Sequence, residues 1–178
     1  MKKTILLLFT ISLLSFNSIT DWYIYNSENF KISFPEKPTE EDKTMQTLAG
    51  EIKVKTLIYK AQSVDEKNLR YFMSINDLPN YKGNLTTEEQ KTALDAAING
   101  SIRNHKATLI SEKTINYSSY SGRAVKMSIN DDKIIANMRS YIVGNKYYGL
   151  IVYTIKQNDN NSEIEQFFNS FEEKNSSK

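Results

Sequence analysis

The 178-residue chain contains no cysteine, one histidine, one tryptophan, three prolines and six glycines. Without cysteine there is no disulfide to staple the fold, no thiol nucleophile and no thiolate metal site. Stability must come from the core. The lone histidine, His105, has no serine in a nucleophile-elbow context to serve, so a nucleophilic triad lacks its parts. Gly50, Gly83, Gly122 and Gly144 stand singly, as turn residues do, and form no phosphate-cradling run. An excess of one charge is missing too. Lys2 and Lys3 account for the whole surplus of 23 basic over 21 acidic residues, so the chain beyond residue 20 is formally neutral. A nucleic-acid partner is therefore not expected.

One long apolar run is present. In MKKTILLLFTISLLSFNSIT two lysines precede Ile5–Phe16, and small or polar residues follow. That is the order of a secretory signal peptide, and the run falls short of the roughly 20 apolar residues of a membrane span. The expectation is a leader over residues 1–20, cleavage before Asp21, and an exported chain, periplasmic or extracellular. No cysteine follows the run to carry a lipid anchor, so no stable membrane span or tether is expected after cleavage. With 39% hydrophobic and 25% charged residues the chain has a globular composition. Residues 21–172 are expected to form one domain, with a flexible tail at 173–178 and fraying from Glu172 onward.

Beyond the leader, Trp22–Tyr25 and Phe30–Phe34 read as a strand pair joined by the polar turn at 26–29. Pro35 and Pro38 stop the second strand, since proline offers no N–H to a ladder. They are expected to mark where this strand leaves the sheet, followed by a solvated charged segment from Thr39 to Lys43. Lys43–Leu48 and Glu51–Lys60 read as a hairpin around Ala49-Gly50, and Leu69–Asn76 keeps period two. After a loop at Asp77–Asn84, Thr86 with Glu89 makes a capping box. Leu94, Ala97, Ile98, Ser101 and Ile102 then form one stripe of a helix spanning Thr87–Arg103. Gly100 weakens that helix and is expected to permit close approach to a sheet. Thr108–Tyr117, Gly122–Asn130, Lys133–Val143 and Lys146–Ile155 form a meander with short turns. Ser162 with Glu165 suggests a second capping box, ahead of Ile164, Phe167, Phe168 and Phe171 at helical spacing. Strands, helix, strands, helix is the order of an α+β domain: an antiparallel sheet of about seven or eight strands flanked by two main helices.

The aromatic start with Phe30-Lys-Ile-Ser-Phe-Pro-Glu-Lys-Pro38, the strand Gly144-Asn-Lys-Tyr-Tyr-Gly-Leu-Ile-Val152 and the closing Ile164-Glu-Gln-Phe-Phe-Asn-Ser-Phe171 carry a resemblance. The chain resembles small exported bacterial domains related to the PsbP-like α/β/α sandwich. Extrinsic photosystem subunits and DcrB-like envelope proteins share that fold. The resemblance implies a central antiparallel sheet with helices on both faces, acting as a binding or assembly module rather than a catalyst. It brings no functional residue with it, and the missing lipid-attachment cysteine departs from the lipoprotein members.

Candidate chemistry is sparse. His105 follows the first helix, where a cation complements exposed carbonyls. Asn130-Asp131-Asp132 and Asp159-Asn160-Asn161 offer oxygens, but they lack the alternation and distant glutamate of a calcium loop and read as turns. The adjacent pairs Glu40-Glu41 and Glu88-Glu89 read as a solvated loop and a helix start. No catalytic residue, metal or cofactor is expected. The eleven tyrosines stand out. Tyr147 and Tyr148 must point to opposite faces of a strand, and exposed tyrosines make good contact residues. Tyr81, Lys82, Tyr120 and Tyr147 are the candidate partner-binding residues. The expected role is an exported, non-catalytic binding or assembly module with a protein or envelope-component partner. The alternative is a small-molecule or glycan binder using the tyrosine-rich sheet and the 77–84 loop.

Overall fold

The alternating stretches do become strands. The computed structural model describes residues 21–47, 50–78 and 85–174. The leader at 1–20 and the loop tip carrying Tyr81 and Lys82 lie outside the described residues. In chain order the elements are β1 (Tyr23–Asn26), β2 (Phe30–Phe34), β3 (Thr39–Thr47), β4 (Gly50–Lys60), β5 (Asn68–Asp77) and α1 (Thr87–His105). There follow β6 (Thr108–Tyr117), β7 (Tyr120–Ile129), β8 (Ile134–Val143), β9 (Lys146–Ile155), a 3-10 turn (Lys156–Asn158), α2 (Ser162–Asn169) and β10 (Glu172–Glu173).

Seven strands form one antiparallel sheet in the order β3-β4-β5-β9-β8-β7-β6. The chain leaves the sheet at β5, crosses one face as α1 and re-enters at the far edge as β6. The meander β6 to β9 then brings it back to pair with β5, Tyr71 opposite Val152 and Ile75 opposite Tyr148. β8 and β9 are central and covered on both faces, which is why Ile142, Tyr148, Leu150 and Val152 are fully buried.

α1 begins with the expected capping box: Thr86 accepts from the Glu89 amide, and Glu89 accepts from the Thr86 amide at 2.8 Å. It runs to His105 and ends on Lys106 in the left-handed region (φ 49°). Leu94 packs with Leu85, Ile142 and Tyr147. Ile98 packs with Val125, Met127, Ala136, Met138 and Ile151. Gly100 does not mediate this contact: a Cβ there meets nothing within 4 Å.

The opposite face holds the larger core. Phe30, Ile32 and Phe34 of β2 and Ile164, Phe167 and Phe168 of α2, with Phe171 beyond it, cover Leu57, Tyr71, Met73, Tyr148 and Leu150. Rings meet edge-on, Phe34 on Phe167 and Tyr71 on Phe167, each with centroids 5.3 Å apart. β2 never joins the main sheet. It is the middle strand of a separate sheet, β1-β2-β10, so the prolines carry the chain between layers rather than ending its membership of one sheet. Thr39–Lys43 is ladder rather than loop, with Thr39 opposite Ile58 and Lys43 opposite Val54. Charged side chains suit it because it is an outer edge. Glu172 and Glu173 do not fray: they pair with Lys31 and Phe30, and Lys31 bridges Glu172 at 2.7 Å. The cap of α2 is Asn161, whose side chain accepts from the Glu163 amide at 3.1 Å; Ser162 is already helical.

A buried polar cluster fastens α2 to the sheet. Asn68 is fully buried. Its amide donates to the Tyr71 hydroxyl at 2.7 Å, and its carbonyl accepts from Asn161 at 2.8 Å. Tyr71 donates to Glu163 at 3.0 Å, and Lys67 bridges the other Glu163 oxygen at 3.2 Å.

Candidate functional site

β6 stands out by its exposure, although Phe171 and the Glu173 amide reach Tyr117 at its end. Eight of its ten residues are exposed, whereas β8 and β9 are almost wholly buried. Among the described residues only β7 pairs with it, which leaves its outer backbone edge open. A bulge between Leu109 and Ser111 leaves Leu109 and Ile110 on the surface. From Ser111 onward the register is regular, Lys113 opposite Ala124 and Ile115 opposite Gly122. Lys113, Ile115 and Tyr117 therefore share the α2 side of the sheet, and Glu112, Thr114 and Asn116 share the α1 side.

Each side of β6 opens onto a polar cleft. On the α1 side a space of 490 Å³ is lined by Lys91, Asp95, Ile98, Glu112 and Arg123. Arg123 is drawn to Glu112 at 3.2 Å and Asp95 at 3.6 Å. On the α2 side a space of 320 Å³ is lined by Lys113, Lys126, Asn137, Arg139, Glu165 and Phe168. Arg139 bonds Glu165 at 2.7 Å while lying over the Phe168 ring. Lys126 donates to Asp159 at 2.8 Å and Asn160 at 2.9 Å, and Asn137 donates to Asp159 at 3.1 Å. Burial alone would raise the Asp159 carboxyl. The Lys126 ammonium and the amide donors outweigh it and hold Asp159 below its ordinary value. Among the described residues the Lys113 ammonium has neither an ion-pair nor a hydrogen-bond partner, its backbone pairing with Ala124 aside.

A larger cleft of 620 Å³ lies at the other end of the same face, between the small sheet and β3-β4-β5. Phe30 and Ile75 give it an apolar floor, and Lys53, Lys55, Asp77 and Lys146 rim it. Lys146 bonds Asp77 at 2.6 Å, and Lys55 bonds Glu40 at 3.0 Å. The Lys55 hydrogen bond is the main cause holding the Glu40 carboxyl below its usual range.

The candidate contact residues part company. Tyr147 is not on the surface. Its ring lies under α1 with Leu94 and Ile142, and its hydroxyl meets Ser140 at 3.0 Å. Space for it comes from Gly149, where a Cβ would sit 2.8 Å from that hydroxyl. Tyr148 faces the other core, as strand alternation requires. Tyr120 is half-buried at the β6–β7 turn, opposite Tyr117 and packed against the edge of the larger core. Both ring nitrogens of His105 are engaged, Nδ1 with the Ser101 carbonyl at 2.9 Å and Nε2 with the Tyr153 hydroxyl at 2.8 Å. It pins the end of α1 to β9. Asn130, Asp131 and Asp132 all have positive φ and form the β7–β8 turn. The strand Thr108–Tyr117 is where the sequence puts it, but its openness and the place of Lys113 on it had no reading there. Their signal was the adjacent pair Leu109-Ile110, which breaks period two where the bulge falls.

The solution structure of cyanobacterial PsbP (CyanoP) from Synechocystis sp. PCC 6803 superposes with a TM-score of 0.59, covering 89% of this chain and 95% of that one at 10% identity. The fold is PsbP-like. No protein-family model matches the sequence, and no curated protein does. At that identity the likeness concerns the PsbP-like architecture alone. Among the described residues no helix is long and apolar enough to cross a membrane.

Proposed function

We propose that this chain is an exported, non-catalytic binding or assembly module of the cell envelope, and that it engages a protein partner through the open β6 side. The observation that carries this is β6 itself: a ten-residue strand with eight exposed residues and, among the described residues, one unpaired edge, in a domain whose other long strands are covered or charged. Unpaired edges are what proteins conceal unless something pairs with them. The leader-like residues 1–20 support export. The engagement of His105 by Ser101 and Tyr153 supports a structural rather than catalytic role for the one imidazole.

Two measurements test this. Cell fractionation with N-terminal sequencing should find a mature form beginning near Asp21 outside the cytoplasm; an intact cytoplasmic chain refutes export. A photo-crosslinking residue at Thr114 or Asn116 should trap a specific envelope protein in cells, while one at Glu88 on α1 does not. Equal trapping from both, or none, refutes the assignment of β6. A small-molecule or glycan site remains the second reading, favoured by the 620 Å³ cleft with its Phe30 and Ile75 floor, within the size range of ligand pockets. A thermal-shift screen against sugars, lipids and organic anions decides it: a saturable shift abolished by Ile75→Asp supports it, and no shift refutes it.

A further inference from the structure

Resting on β6 as the contact surface, we propose that its occupant is an extended peptide segment, added antiparallel as an eighth strand, that reads apolar-x-apolar-x-acidic from its N-terminus. The two edges of the main sheet differ in kind. β3 carries Glu40, Glu41, Asp42 and Lys43 in succession, the charged composition that blocks pairing. β6 carries only Glu112 and Lys113 and ends in the uncharged run Thr114-Ile115-Asn116-Tyr117. The bulge at Leu109/Ser111 limits the regular edge to residues 111–117, which at about 3.3 Å per residue spans roughly 20 Å, enough for six or seven partner residues. Every ladder in this sheet is antiparallel, the slightly more stable pairing.

Side-chain chemistry sets the pattern. On the α1 side the Glu112 charge is already met by Arg123 at 3.2 Å. On the α2 side Lys113 has no partner among the described residues, and the cations beyond it, Lys126 and Arg139, each hold a carboxylate. The unmet charge of this edge therefore sits on Lys113. An acidic side chain directly opposite complements it. The next positions on that side, the half-buried Ile115 and Tyr117, call for apolar neighbours.

Nuclear magnetic resonance titration of the full mature domain tests this, with the capped peptide Ser-Val-Thr-Val-Thr-Asp-Ser and a counterpart in which Asp is Lys. The acidic peptide should give saturable shifts confined to residues 111–117 and their β7 partners. The lysine peptide should bind about fivefold more weakly, the size expected of an exposed charge pair. Lys113→Glu, a surface change that leaves the fold intact, should reverse the preference. No saturable shift at millimolar peptide, shifts centred on β3 or the 620 Å³ cleft, or a preference unmoved by Lys113→Glu overturns the proposal. So does sedimentation showing that the free protein is a dimer with β6 amides already protected from exchange. Failure of the peptides with continued crosslinking from Thr114 refutes strand addition alone; failure of both refutes the β6 reading as well.

Discussion

Replacing Tyr71 by phenylalanine removes one oxygen and leaves the ring in place among Trp22, Tyr59 and Phe167. The hydroxyl makes two bonds, accepting from Asn68 at 2.7 Å and donating to Glu163 at 3.0 Å. Neither partner is orphaned by its loss. Asn68 still faces Asn161 at 3.2 Å, and Glu163 keeps Lys67 at 3.2 Å. The cost is therefore that of two bonds without a desolvation penalty. That is about 1 kcal/mol for the neutral bond and about 1.5 kcal/mol, the low end for a charged acceptor, because Glu163 is partly solvated. A loss of about 2.5 kcal/mol lowers the melting temperature of a domain this size by roughly 5–10 °C. Urea unfolding followed by tyrosine fluorescence and far-UV circular dichroism measures it. A double-mutant cycle with Glu163→Gln should return a coupling of about 1 kcal/mol or more. A Tyr71→Phe protein within 0.5 kcal/mol of the parent, or zero coupling, refutes the view that this cluster fastens α2 to the sheet.

Gly100→Ala should stabilise the domain by about 0.5–1 kcal/mol, because the site is helical and open and alanine restricts the unfolded chain; a loss of stability in urea refutes the absence of close packing there. Gly122→Ala should cost about 1–3 kcal/mol by overpacking, since its Cβ would lie 2.5 Å from the Ser140 carbonyl and 2.6 Å from the Tyr141 ring. Burial pushes the Tyr147 phenol up to about 12, against the downward pull of its Ser140 bond. A raised pKa gives stability that is full below the unfolded value near ~10 and is lost as pH rises toward that figure. Absorbance titration should show some tyrosines ionising only as near-UV dichroism collapses; ionisation of all eleven near pH ~10 in a native protein contradicts this. The depressed Asp159 carboxyl contributes stability above about pH 4 that is lost as pH falls through its folded value. Lys126→Met should then destabilise at pH 7 more than at pH 3, and an equal effect at both refutes the pairing.

Much of the architecture is legible in the sequence because period-two alternation and the Thr86 box report buried faces and helix starts directly. Phe30, Ile32 and Phe34 announce a strand with one buried face, and Ile164, Phe167 and Phe168 announce a helix stripe. What alternation does not report is which sheet a strand joins. β2 pairs with β10, a two-residue strand, Glu172-Glu173, with no apolar pattern. Thr39–Lys43 looks like solvated loop because edge strands borrow the composition of loops. The burial of Tyr147 depends on Gly149 two residues on, whose missing side chain lets the phenol reach Ser140. β6 is legible as a strand, but that eight of its ten residues stay exposed depends on where α1 and α2 end.

The small sheet also sets an order of events. β2 receives β1 from its immediate neighbourhood, but its other side waits for residues far along the chain, as the bond from the Ser33 amide to Ser170 across 137 positions shows. At roughly 5–20 residues per second of synthesis, that interval lasts about 7–30 s. Until it closes, Phe30, Ile32 and Phe34 have no Phe167 or Phe168 to meet. A nascent chain halted before α2 thus leaves Phe30 and Phe34 without the helix that covers them. The lid of the aromatic core is a late event of synthesis, and the core stays open on that side until α2 has been made.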